Sequence, residues 1–123
     1  MFSLDVSPEA LDTFKKFKMK SAYRWIIFKI ENKEKIIVEQ TGEPTSNFAE
    51  FASKLPKSEP RYAVYEMHVE QKDGCKMNKL LFFLYAPDSA DSKDKFVYAS
   101  GKSAFKSKIG AVHKEFQVFL TVK

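Results

Sequence analysis

The 123-residue sequence predicts an α/β (α+β) domain, a central mixed β-sheet of about five strands with helices on both faces. Three observations predict it. Segments with helical apolar spacing alternate with β-branched and aromatic runs in the order helix, two strands, helix, two strands, helix, strand. The run Tyr23–Ile30, YRWIIFKI, is apolar on both of its faces, as a strand covered on both sides must be. The closing strand–helix–strand succession calls for a crossover, which makes the last strand pair parallel. No repeat, low-complexity tract or internal boundary divides the chain, so residues 1–123 read as a single domain.

Each element has a local cause. Ser7-Pro8-Glu9 opens the first helix, with Ser7 as cap, Pro8 as a first residue of preset φ and Glu9 complementing the dipole. Ala10, Leu11, Phe14 and Phe17 follow at helical spacing and carry it to about Met19. After Tyr23–Ile30, Asn32-Lys33-Glu34 makes a tight turn and Lys35–Gln40 returns as the second strand. Thr41–Thr45 reads as loop. Ser46 or Asn47 caps a short helix lined by Phe48, Phe51, Ala52 and Leu55, and Pro56 ends it. Arg61–Val69 is strand three and Lys79–Tyr85 strand four, joined by the polar stretch Gln71–Asn78 with a hairpin tip at Lys72-Asp73-Gly74-Cys75. Pro87-Asp88 turns the chain into a long helix, Ser92–Ile109. Beyond Gly110 the period becomes two: Phe116, Val118, Leu120 and Val122 alternate with Glu115, Gln117, Phe119, Thr121 and Lys123, a half-buried strand running nearly to the last residue.

The Ser92–Ile109 helix is the most informative stretch. At ~100° per residue, Val97, Tyr98, Gly101, Ala104 and Phe105 share one face, with Ile109 at its edge. Phe96 falls roughly 150° round from that stripe, among Lys93, Ser100, Ser103 and Ser107. A large aromatic on the polar side of a helix is shaped to dock on a partner. Gly101 inside the helix costs ~1 kcal/mol relative to alanine and marks a bend or a close approach.

Composition narrows the function classes. The lone Cys75 excludes an intramolecular disulfide and fits a reducing compartment. Neither a basic, apolar leader nor a run of ~18 apolar residues is present, so the expected location is the cytosol. His68 and His113 lack metal-ligand spacing, and no nucleophile-elbow, P-loop or dinucleotide motif occurs, so the chain reads as a binding module without catalytic residues, metal or cofactor. The net charge of +5 favours acidic partners. Lys15, Lys16, Lys18 and Lys20 form a basic cluster that complements the end of helix one and could meet anionic lipid or act as a nuclear-import signal.

Several segments taken together resemble the actin-depolymerizing factor/cofilin family, most of all its plant and fungal branch. They are Tyr23–Ile30, Ile36–Glu39 (IIVE), Gly42-Glu43-Pro44, Phe51 through Leu55-Pro56, Arg61–Tyr65 (RYAVY), and Lys79–Pro87 (KLLFFLYAP) with Asp88. Tyr98-Ala99-Ser100 followed by Lys102, and Glu115 with Gln117, complete an ordered set spanning Val6 to Gln117. The resemblance implies a protein that binds monomeric and filamentous actin, favours the ADP form, and promotes severing and depolymerisation. It implies no enzyme chemistry and a cytoplasmic, cytoskeletal location, with the nucleus as a second compartment.

Carried over residue by residue, the surface shared by monomer and filament comprises Ser3, Leu4, Lys93, Lys95 and Phe96, the last standing where a methionine is usual. Lys76 and Lys79 match the filament-binding positions on the projection between strands three and four. Lys15, Lys16, Lys18 and Lys20 are the candidate phosphoinositide patch, and Ser3 a candidate phosphorylation site, although it aligns with the glycine after the usual serine. The sequence after Gln117 departs from the acidic turn and final helix of the family, which sets a monomer-sequestering protein with weak severing as the alternative. A glia-maturation-type debranching factor and a basic phosphoinositide- or nucleic-acid-binding module are the other readings; a monomer that binds no nucleic acid is the expectation.

Overall fold

The computed structural model describes residues 4–110 and the backbone of residues 114–118. Its elements are β1 (Asp5–Val6), α1 (Pro8–Lys20), β2 (Trp25–Glu31), β3 (Lys35–Gly42), α2 (Phe48–Ser53), β4 (Arg61–Glu70), β5 (Lys76–Tyr85), α3 (Ser92–Ile109) and β6 (Lys114–Val118). They form a mixed sheet in the order β1-β3-β2-β4-β5-β6. The central strands β3, β2, β4 and β5 pair antiparallel. β1 adds parallel to β3, and β6 adds parallel to β5 through the α3 crossover. The expected parallel closing pair is therefore present. The two-residue β1 brings the strands described to six and is too short for a sequence pattern to announce.

The sheet is covered on both faces, and β2 shows why its sequence has no polar side. Ile26 and Phe28 enter a core with Phe14 and Phe17 of α1 and Tyr98 and Phe105 of α3. Trp25 and Ile27 enter a second core with Phe51 of α2, Tyr65 and Phe83. Gly42, opposite Trp25 in the register, is required there, because a Cβ at that position would overlap the indole. The indole nitrogen donates to Ser46 Oγ at 2.8 Å, and that hydroxyl donates to Glu50 at 2.8 Å. Asn47 is thus the α2 cap, its side chain accepting from Glu50 N, while Ser46 ties the helix to β2.

The differences from the sequence reading have local causes. β5 begins at Lys76 instead of Lys79, because the hairpin continues in register through Met77 and Asn78, whose exposed side chains read as loop. Ala52 and Ala104 are exposed, not packed. In α3 the buried row is Tyr98, Gly101, Phe105 and Ile109. Ala104 lies about 100° from its middle, beyond the width one packed helix face covers. Leu11 is 37% exposed, at the flank of the α1 row Ala10, Phe14 and Phe17. The expected strand beyond Val118, and His113, lie outside the described residues.

Candidate functional site

α3 is held by its buried row, and that fixes what it shows to solvent. The Tyr98 hydroxyl accepts from the Ile30 backbone N–H at 2.8 Å, while the Tyr62 hydroxyl donates to the Tyr98 carbonyl. Phe105 meets Phe28 edge-on with ring centroids 4.9 Å apart and packs on Tyr62 and Phe82. At Gly101 a Cβ would sit 2.9 Å from the Tyr62 hydroxyl and closer still to Leu4 Cδ1. The helix glycine is therefore the close approach that the sequence allowed. It lets Leu4, 8% exposed, lie across α3 within the core.

Phe96 lies about half a turn from this row and is 69% exposed. Lys93, about 60° away on the wheel, is exposed beside it, whereas Lys95 is half-buried on the flank. The first turn carrying all three is capped by Asp91, whose carboxylate accepts from Lys93 N at 2.9 Å. Asp94, on the opposite side, faces a polar notch with Glu31, Glu59 and Arg61. Arg61 is buried and joined to Glu39 by two bonds of 2.9 and 3.1 Å. Burial opposes its charge most strongly, but the hydrogen bond to Glu39 and the nearby charges of Glu39, Glu59 and Tyr98 together outweigh it and hold the guanidinium above its ordinary pKa. No cluster of His, Cys, Asp or Glu suited to a metal ion occurs among the described residues.

The other expected site residues fall in different places. Leu4 is inward-facing, and Ser3 is outside the described residues. Lys76 and Lys79 share the β4–β5 hairpin but point to opposite faces. Lys76 is on the side of His68 and opposite Glu70, while Lys79 is beside Met67 and Met77 and opposite Met67. Lys15, Lys16, Lys18 and Lys20 are all exposed on α1, with Lys16 paired to Asp12 at 3.2 Å. Sequence reasoning missed the buried Glu66, which accepts from Ser21 Oγ at 2.7 Å and meets His68 at 3.3 Å. The i, i+2 spacing of Glu66 and His68 on a strand was the available signal.

This fold has known counterparts. A model of the cofilin/tropomyosin-type actin-binding protein family matches residues 3–119. The chain belongs to that family. It is 37% identical over 115 residues to an actin-depolymerizing factor of Vitis vinifera, covering 93% of this chain and 80% of that one. The structure of Plasmodium berghei actin depolymerization factor 2 superposes with a TM-score of 0.89 at 28% identity, covering 98% of this chain and 90% of that one. Streptomyces griseoflavus cofilin gives 0.86 at 29% identity, with 96% and 87% covered. Members of the family act by binding actin and depolymerising its filaments, and the mixed sheet with helices on both faces is their fold. Among the described residues no helix is long and apolar enough to cross a membrane.

Proposed function

We propose that this protein binds monomeric and filamentous actin through the first turns of α3, with preference for the ADP form, and promotes severing and subunit loss. The observation that supports this most is Phe96, 69% exposed on a helix whose opposite side is fixed in the core. An aromatic that no roll of the helix can bury suits an anchor in an apolar cleft, with Lys93 and Lys95 meeting carboxylates at the rim. Ser3 is proposed as a further actin contact, while Leu4, buried against Gly101, supports α3 from within. The energy of docking serves to shift a filament between conformations, which needs differential affinity for the two states and no catalytic group.

Co-sedimentation with actin filaments tests this. Phe96→Ala should weaken binding by about 2–4 kcal/mol, and Lys93→Glu with Lys95→Glu should slow association and flatten or reverse its salt dependence, because added salt then screens repulsion instead of attraction. Undiminished binding of Phe96→Ala would remove the anchor. One observation favours a second reading, sequestration of monomers with weak severing. With Lys76 and Lys79 on opposite hairpin faces, a filament subunit lying on one face meets only one of them. Microscopy of labelled filaments separates the two: breaks along the length support severing, and shrinkage from the ends alone supports sequestration.

A further inference from the structure

A groove runs between α1 and the last turn of α3, twelve residues and about 18 Å along α3 from Phe96. Its floor is apolar, with Phe14 and Ile109 only 3% and 7% exposed. Leu11 and Met19 of α1 stand at its wall, 37% and 70% exposed, two large apolar side chains that the core does not use. Lys15, Lys18 and Lys108 form its rim, and among the described residues no carboxylate lines it. The groove is open to solvent, with a volume of about 390 Å³.

We propose that this groove docks an acidic amphipathic helix of a partner protein. Its apolar side chains would enter beside Leu11 and Met19, and its carboxylates would meet Lys15, Lys18 and Lys108. Charge complementarity selects the sign of the guest, in a chain of net charge +5 whose nearest α1 carboxylate, Asp12, is already engaged by Lys16. Shape selects a helix. From Leu11 to Met19 the wall extends about 12 Å, two turns of a guest whose i, i+3 and i+4 side chains can reach between the host helices. A flat bilayer surface meets Met19 and the lysines but does not reach Phe14 and Ile109 at the floor. The site is separate from the Phe96 surface, so it is open to a partner while actin is bound.

The probe is a labelled synthetic peptide of about five turns, with leucines on one helical face and glutamates elsewhere. It is compared with a scrambled isomer of equal charge and with phosphatidylcholine vesicles containing phosphatidylserine. The full chain should bind the amphipathic peptide and not its scrambled isomer, with methyl resonances of Leu11, Met19 and Ile109 shifting on titration. Met19→Ser and Lys108→Gln, both at solvent-facing positions, should each weaken peptide binding by about tenfold or more while thermal melting is retained. Their actin co-sedimentation should stay at the wild-type level, so a failure here leaves the Phe96 reading standing. Equal binding of the scrambled peptide, or no effect of the two substitutions, would overturn the proposal. Vesicle binding that depends on Met19 and Lys108, with no peptide binding, would overturn it in favour of a lipid face.

Discussion

Helices α1 and α3 lie on the same face of the sheet, and both carry lysines outward, but they expose apolar surface in different shapes. α3 presents a single knob: Phe96 stands opposite the buried row among Ser100, Ser103 and Lys93. α1 contributes to a trough, where Leu11 and Met19 overlook Phe14 and Ile109. A knob needs a cleft in its partner, whereas a trough accepts side chains from its partner. Exposed area alone would have grouped Phe96 with Met19; direction relative to the helix's own buried row separates them.

The comparison breaks most completely if α3 loses its seat. Phe105 is fully buried against Phe28, Tyr62 and Phe82, so Phe105→Ala should cost about 3–5 kcal/mol in urea unfolding. A loss below about 1 kcal/mol would mean that α3 is not fixed by this ring. Phe96→Ala should be its converse, with the large loss of actin affinity accompanied by a stability change within about 0.5 kcal/mol. A drop in melting temperature comparable with that of Phe105→Ala would show that Phe96 packs inside.

Much of this contrast was legible from spacing. The wheel over Ser92–Ile109 set Phe96 apart because helical periodicity survives whatever the helix packs on. Width was not legible: Ala104 and Ala52 belong to apolar faces by sequence, but how much of a face is covered depends on the neighbouring elements. Lys76 and Lys79 show the same limit. Their hairpin was readable, yet the faces they occupy follow from a register that runs unbroken from Arg61↔Tyr85 to Glu70↔Lys76. The α1–α3 groove was invisible, because it joins residues about ninety positions apart.

Smaller perturbations sharpen the account of how α3 is seated. Gly101→Ala should gain ~1 kcal/mol of helix propensity and lose about 1–3 kcal/mol through the collision with Leu4 and Tyr62. Leu4→Ala relieves part of that collision, so the double variant should show a coupling of about 0.5 kcal/mol or more in a double-mutant cycle. Strict additivity would place Leu4 elsewhere. Alkaline pH tests the same junction. Burial raises the phenol pKa values of Tyr62 and Tyr98 above the ordinary range. The unfolded chain therefore loses these protons first, near pH 10, and stability that is complete below that pH declines above it. Melting temperatures measured from pH 9 upward should fall, and Tyr62→Phe should flatten the fall despite losing one hydrogen bond. An unchanged slope in Tyr62→Phe would remove this residue from the transition.

The smallest effects separate the two helices at their first turns. Ser7 caps α1 from a buried position, its Oγ accepting from Ala10 N at 3.0 Å, whereas Asp91 caps α3 in solvent. Ser7→Ala strands a buried donor and should cost about 1–2 kcal/mol; Asp91→Ala lets water replace the cap and should cost about 1 kcal/mol or less. Actin affinity should reverse that order. The Ser7 backbone remains pinned by its N–H to the Ile36 carbonyl at 3.0 Å, so α1 keeps its entry point. Asp91 orders the turn that holds Lys93, Lys95 and Phe96, and fraying there adds an ordering cost to each docking event. Asp91→Ala should therefore weaken actin co-sedimentation severalfold at a stability where Ser7→Ala does not, and Asp91→Asn, which keeps a capping oxygen, should restore it. Equal losses in both alanine variants would mean that binding follows global stability and not the order of the turn beneath Phe96.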